Sequence, residues 1–117
     1  MNDVINPVQV EQNIRVLANN IARGVTVVSN TEAEARKARR EYDVAFAHAY
    51  MDWKGAAHEK KYAAVIATEA ELEAADVAEL AYKHAERTAR ALTEELRAWQ
   101  SVGASVRAMY QAPGGTA

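Results

Sequence analysis

Four cationic side chains, Arg36, Lys37, Arg39 and Arg40, fall within five positions. On a helix turning about 100° per residue, Arg36, Lys37 and Arg40 spread over the face away from a stripe formed by Ala38, Tyr42 and Phe46. Arg39 flanks that stripe, where its stem packs while its head stays wet. Lys54, Lys60 and Lys61 bracket a glycine further on. Repeated cationic donors are what binding of a phosphate backbone requires. Tyr42, Tyr50 and Trp53 stand nearby as rings on which bases can stack. A solvated helix face, with Glu32 paired to Arg36 and Arg39 to Asp43, accounts for the same residues, and composition alone favours that plainer reading.

The other groups capable of chemistry are less organised. Glu69, Glu71, Glu73, Asp76 and Glu79 form an acidic run with no Lys or Arg among them. Residues 69, 73 and 76 share a helix face, so a paired-carboxylate acid/base site is conceivable. A solvated acidic face, or one that meets a basic face of another subunit, explains the run with fewer demands. His48, His58 and His84 have no partner at a metal-ligand spacing, and no glycine-rich phosphate loop or nucleophile elbow occurs. We therefore expect no catalytic residues, no metal site and no cofactor, and a protein that is not an enzyme.

The elements that position these residues are helical. The two prolines, Pro7 and Pro113, lie near the ends, and the stretch between is rich in Ala, Glu, Arg, Lys and Leu. Val10, Ile14, Leu17, Ile21, Val25 and Val28 recur every three or four residues and predict a first helix over 8–28. Thr31 with Glu34 has the form of a capping box and predicts a second helix over 32–53, although one continuous helix fits as well. Gly55 predicts a turn. A third helix is predicted over 57–110, followed by a mobile tail at 111–117. Its later half carries an unbroken heptad seam of Ala85, Ala89, Leu92, Leu96, Trp99, Gly103, Val106 and Tyr110.

These elements predict an all-α fold, a long helical hairpin with an additional N-terminal helix, forming a single domain over 1–117. A third helix of that length would span on the order of 80 Å, against a radius of gyration of about 13 Å for a compact chain of this size. Either it bends, for instance at Gly103, or the molecule is elongated and completes its core by helix–helix packing with other copies. We favour the second, with Leu92, Leu96, Trp99, Gly103, Val106 and Tyr110 as the assembly surface and Gly103 allowing close backbone approach.

Composition bounds the function. Half of the 117 residues are hydrophobic, but many are alanine, so an isolated core is thin. A formal net charge of −2 gives no global basic field. The absence of cysteine excludes disulfides and thiolate metal sites and suits a reducing, cytoplasmic setting. No run approaches the roughly 18 apolar residues of a membrane span, so no membrane partner is expected. Residues 1–10 hold no signal-peptide core, which leaves secretion without a cleaved signal open.

The order of features then matters. Lys37-Ala38-Arg39-Arg40-Glu41-Tyr42 lies on a long helix, a glycine turn follows at Gly55, and an acidic, alanine-rich helix ends in Leu96-Arg97-Ala98-Trp99-Gln100-Ser101-Val102-Gly103-Ala104-Ser105-Val106-Arg107. Over about residues 33–110 this resembles the small helical UvsY-like recombination mediators of tailed phages. The resemblance implies a non-enzymatic, homo-oligomeric protein that binds single-stranded DNA and helps load a recombinase onto DNA coated by single-strand binding protein. It implies that Lys37 and Arg39, which match a Lys-Ala-Arg sequence, contact DNA, and that the region of Leu96 to Val106 serves assembly. Arg36, Arg40, Lys60 and Lys61 join the expected nucleic-acid surface by their charge and position. A phage-encoded protein of this kind acts in the host cytoplasm.

Two other readings remain. Trp53-Lys54-Gly55 and Tyr82-Lys83-His84-Ala85-Glu86 resemble the turn and the Tyr-x-x-x-acid export signal of small secreted helical-hairpin proteins, though the second arm here is far longer than such a hairpin needs. The third is a virion or scaffold component that makes helix–helix contacts alone.

Overall fold

A computed structural model of the chain describes residues 6–115, and the side-chain surroundings of these as far as residue 111. Among the described residues there are helices and no strands: α1 over Pro7–Asp52, a short 3-10 turn over Ala57–Glu59, α2 over Lys60–Ala67 and α3 over Glu69–Gly115. The all-α hairpin is thus as expected. No helix is long and apolar enough to cross a membrane. The chain groups into two compact units: Val27–Glu86, and a second made of α1 up to Thr26 with α3 from Arg87 onward.

α1 begins where local chemistry allows. Asn6 caps it, its side-chain oxygen accepting from the Gln9 N–H at 2.8 Å. Pro7 takes the first helical position, where a missing N–H costs nothing. The separate first and second helices expected at 8–28 and 32–53 are one helix. Thr31 does not cap; its hydroxyl donates back to the carbonyls of Val27 at 2.7 Å and Val28 at 3.1 Å, a bond that leaves the helix intact. The reason is the buried and half-buried stripe, which runs Val10, Ile14, Leu17, Ile21, Gly24, Val28, Thr31, Ala35, Ala38, Tyr42, Ala45, Ala49 with alternating spacings of four and three. A break at residue 30 would throw its second half out of phase.

The expected helix over 57–110 is interrupted instead. Thr68 leaves helical geometry at φ −114° and ψ 21°. Its N–H is shared between the carbonyls of Ala64 and Val65, at 3.1 and 3.3 Å, and its hydroxyl donates to Ala64 at 2.7 Å. Every polar group of this buried residue near the break is therefore satisfied, so the interruption is inexpensive. α3 passes through Gly103 as helix and continues to Gly115, past the point at 111 where a tail is expected. Residues 116 and 117 lie outside the described residues.

In the unit built from the chain ends, Val10, Leu17 and Val106 are buried. Gly103 lies against α1: a Cβ placed there would stand 3.2 Å from Val10 Cγ1 and 3.7 Å from Ile14 Cδ1. The close backbone approach expected between subunits at Gly103 is thus made within the chain. Leu92, Leu96 and Trp99 are half-buried in the single chain, and Tyr110 at the end of the seam is exposed.

In the unit Val27–Glu86 the core is almost wholly small, with Ala64, Thr68, Ala75 and Ala85 buried. Larger groups frame it. Along α1 the Tyr42 ring is tilted 55° against Phe46 at 6.1 Å between centroids, and Phe46 stacks on Tyr50 at 6.2 Å. At the turn, Trp53 folds its indole over Gly55 and donates from Nε1 to the Ala56 carbonyl at 3.2 Å. A Cβ on Gly55 would meet that ring at 2.6 Å, so only glycine permits this closure.

Two glycines should therefore respond oppositely to substitution. Nothing lies within 4 Å of a Cβ added at Gly24. Gly24→Ala should raise stability by about 0.5–1 kcal/mol, because it removes backbone freedom from the unfolded chain. Gly103→Leu should lower stability by about 1–3 kcal/mol through overpacking against Val10. Thermal unfolding followed by circular dichroism reads both signs.

Candidate nucleic-acid interface

The cationic group sits on α1 with its four side chains exposed. Arg36 Nη2 pairs with Glu32 Oε2 at 2.9 Å. Arg39 Nε lies 3.7 Å from Asp43 Oδ1, and its guanidinium stands 5.2 Å from the centre of the Tyr42 ring. Lys37 and Arg40 make no ion pair among the described residues. Exposed pairs of this kind contribute about 0.2–1 kcal/mol, so an incoming phosphate can open them at little cost. All four cations are thus available to an anion that runs along the helix.

Lys60 lies over the Tyr50 ring at 5.3 Å, and Lys61 and Lys54 are exposed around the turn. Arg40 and the Tyr50–Lys60 contact are ten residues apart along α1, roughly 15 Å at 1.5 Å per residue. The structure therefore does not merge Lys60 and Lys61 with the Arg36–Arg40 group. It places two cationic patches on one unit, with the aromatic run Tyr42, Phe46 and Tyr50 between them.

Beside the first patch is an open groove of about 440 Å³, lined by Glu32, Ala35, Arg36 and Arg39 of α1 and by Ala75, Glu79 and Tyr82 of α3. It exists because alanines face one another there and leave space that larger residues would fill. Tyr82 was not foreseen as a neighbour of the arginines, since their meeting depends on the register of two helices far apart in sequence. Its hydroxyl donates to Glu86 Oε2 at 3.1 Å. That hydrogen bond, then partial burial and the negative charges of Glu32 and Glu86, hold the phenol above its ordinary ionisation range, while Arg36 opposes them.

The acidic run is arranged differently. Glu69, Glu73 and Asp76 are exposed, and Glu79 pairs with Lys83 at 3.3 Å. Among the described residues no group of three or more His, Asp or Glu side chains is placed to hold a metal ion. His48, His58 and His84 are all exposed and separate.

The fold favours neutral Tyr82, so its contribution to stability is complete below the ordinary tyrosine range near pH 10. It is lost as pH rises from there toward the raised value. Glu86→Ala removes the hydrogen bond that is the largest cause of the shift. A titration at 295 nm should then show Tyr82 ionising at a lower pH than in the wild type. No known family model, curated protein or solved structure matches the chain.

Proposed function

We propose that the chain is a non-enzymatic, single-stranded-DNA-binding protein of the recombination-mediator type, acting beside a recombinase or a single-strand binding protein. The observation that carries this reading is the exposure of Arg36, Lys37, Arg39 and Arg40 together on one stretch of α1. The resemblance of Lys37-Ala38-Arg39 to the DNA-contacting sequence of UvsY-like mediators supports it. So do the Arg39 guanidinium over the Tyr42 ring and the exposed Tyr50 ring beside Lys60, a face on which a base can stack whatever its sequence. One copy offers few contacts, so useful affinity calls for several copies on one strand. A cytoplasmic site of action goes with this role.

The secreted-hairpin reading has one observation in its favour, the packed Trp53-x-Gly55 turn. Against it, Tyr82 is half-buried in the middle of a helix that runs on to Gly115, with its hydroxyl engaged by Glu86. A signal read by an export machine needs its tyrosine and acid accessible, and here Tyr82 and Glu86 are half-buried and bonded to each other.

Binding to a fluorescent oligothymidylate, measured by anisotropy across a salt series, tests the proposal. Log affinity should fall linearly with log salt, with a slope of about −0.7 for each phosphate neutralised. Lys37→Ala with Arg39→Ala should weaken binding and flatten the slope by about 1.4 if each cation meets one phosphate. Helicity should be kept, because alanine is a strong helix former. Absence of binding at low salt, or an unchanged slope in the double variant, rejects the proposal.

A further inference from the structure

The open groove between α1 and α3 has, at about 440 Å³, the volume of a small-ligand cleft. Two alanines line it, Ala35, which is half-buried, and Ala75, which is buried. Arg36 and Arg39 line it from α1, and Glu79 and Tyr82 from α3. Cations alone would serve a bare phosphate backbone. A tyrosine ring adds nothing to that task and a carboxylate opposes it, so the α3 side of the groove calls for a different part of a ligand.

Tyr82 is half-buried, and its hydroxyl is tied to Glu86 at 3.1 Å, so its ring is held in place. A base that stacks on a held ring pays little for ordering it. Glu79 lies three residues before Tyr82, on the same face of α3. Its Oε2 stands 3.3 Å from Lys83 Nζ, and both side chains are about half exposed. An ionised carboxylate has about four lone-pair sites, so this one contact leaves acceptors free. It has no proton to donate. It therefore suits a base edge that presents an amino group and repels one that presents a carbonyl oxygen. Cytosine and thymine differ in this respect: the N4 amino group of cytosine donates, and the O4 of thymine accepts. Arg36 and Arg39, on the α1 side, supply the charged donors that meet the phosphates flanking such a base.

We propose that the groove is a nucleotide subsite that takes one base of a bound single strand, stacked on Tyr82 with its amino group donating to Glu79, and that it prefers cytosine to thymine. The inference rests on the strand-binding reading and adds a base preference to it. Lys37 and Arg40, outside the groove lining, meet phosphates of any sequence.

Anisotropy of the full chain with two short fluorescent strands of equal length, an oligodeoxycytidylate and an oligothymidylate, is the test. Mildly alkaline pH keeps cytosine unprotonated. Wild type should bind the cytosine strand about three- to tenfold more tightly, the difference one hydrogen bond makes. The salt slope should be the same for both, because their phosphates are alike. Glu79→Ala should bring the two affinities together. The ratio is the readout, since loss of an acidic charge raises affinity for both strands alike. Ala35→Leu fills the groove and should also abolish the preference while the salt slope stays. Should Ala35→Leu disturb the fold by circular dichroism, Glu79→Ala, a change at an exposed position, still decides. Equal affinities in wild type, a preference for thymine, or a preference that survives Glu79→Ala would each overturn this inference and leave the strand-binding reading standing. Failure of both strands to bind at low salt rejects that reading and the subsite with it.

Discussion

Close approach of helices through small residues governs this molecule. Gly103 lets α3 come within contact of Val10 and Ile14, and Ala64, Ala75 and Ala85 are the buried positions of the hairpin unit. Small seams bring backbones together but remove little apolar area from water, and each buried alanine contributes far less than the roughly 1.5–3 kcal/mol of a buried Val or Leu. Stability then depends on length: both seams run unbroken for many turns, and neither tolerates an interruption that shifts its phase. The same economy leaves Val44, Ile66, Val77 and Leu80 outside the core. Their exposure and the thinness of the core are two sides of one choice.

Charge is distributed to match. The net charge of −2 conceals two local clusters, Arg36, Lys37, Arg39 and Arg40 on α1 and Glu69, Glu71, Glu73 and Asp76 on the first turns of α3. Acids at the start of α3 also meet the positive end of the helix dipole, so part of the acidic run is accounted for by helix stability alone. No such account covers Lys37 and Arg40, which lie mid-helix and outside the ion pairs that occupy Arg36 and Arg39.

Much of this was legible in the sequence, and the misses have physical causes. The seam from Ala85 to Val106 could be read directly because its spacings never slip. The equally regular stripe of α1 is ambiguous at one point: Val25 is apolar where Gly24 holds the seam position, and Thr31 with Glu34 has the form of a cap. A threonine hydroxyl can serve either a cap or a back-bond to the preceding turn, and only the continuing phase of Ala35 and Ala38 decides between them. The break at Thr68 had no local signal, since a threonine in a run of good helix formers does not announce a turn. Exposure of the Arg36–Arg40 group followed from its angle to Tyr42 and Phe46. The groove with Tyr82 did not, because it needs the register between α1 and α3, which a single chain's pattern leaves free.

The proposed single-strand surface is made of the α1 cations, with Arg39 over Tyr42 and the exposed ring of Tyr50 as its aromatic neighbours. Ultraviolet cross-linking of the protein to oligothymidylate, with the attached peptides located by mass spectrometry, tests it most directly. Cross-links should concentrate between residues 36 and 61, on Tyr42, Tyr50 or Trp53, and should vanish at high salt. Cross-links confined to the acidic stretch from Glu69 to Glu79, or found only outside the hairpin unit, would contradict it.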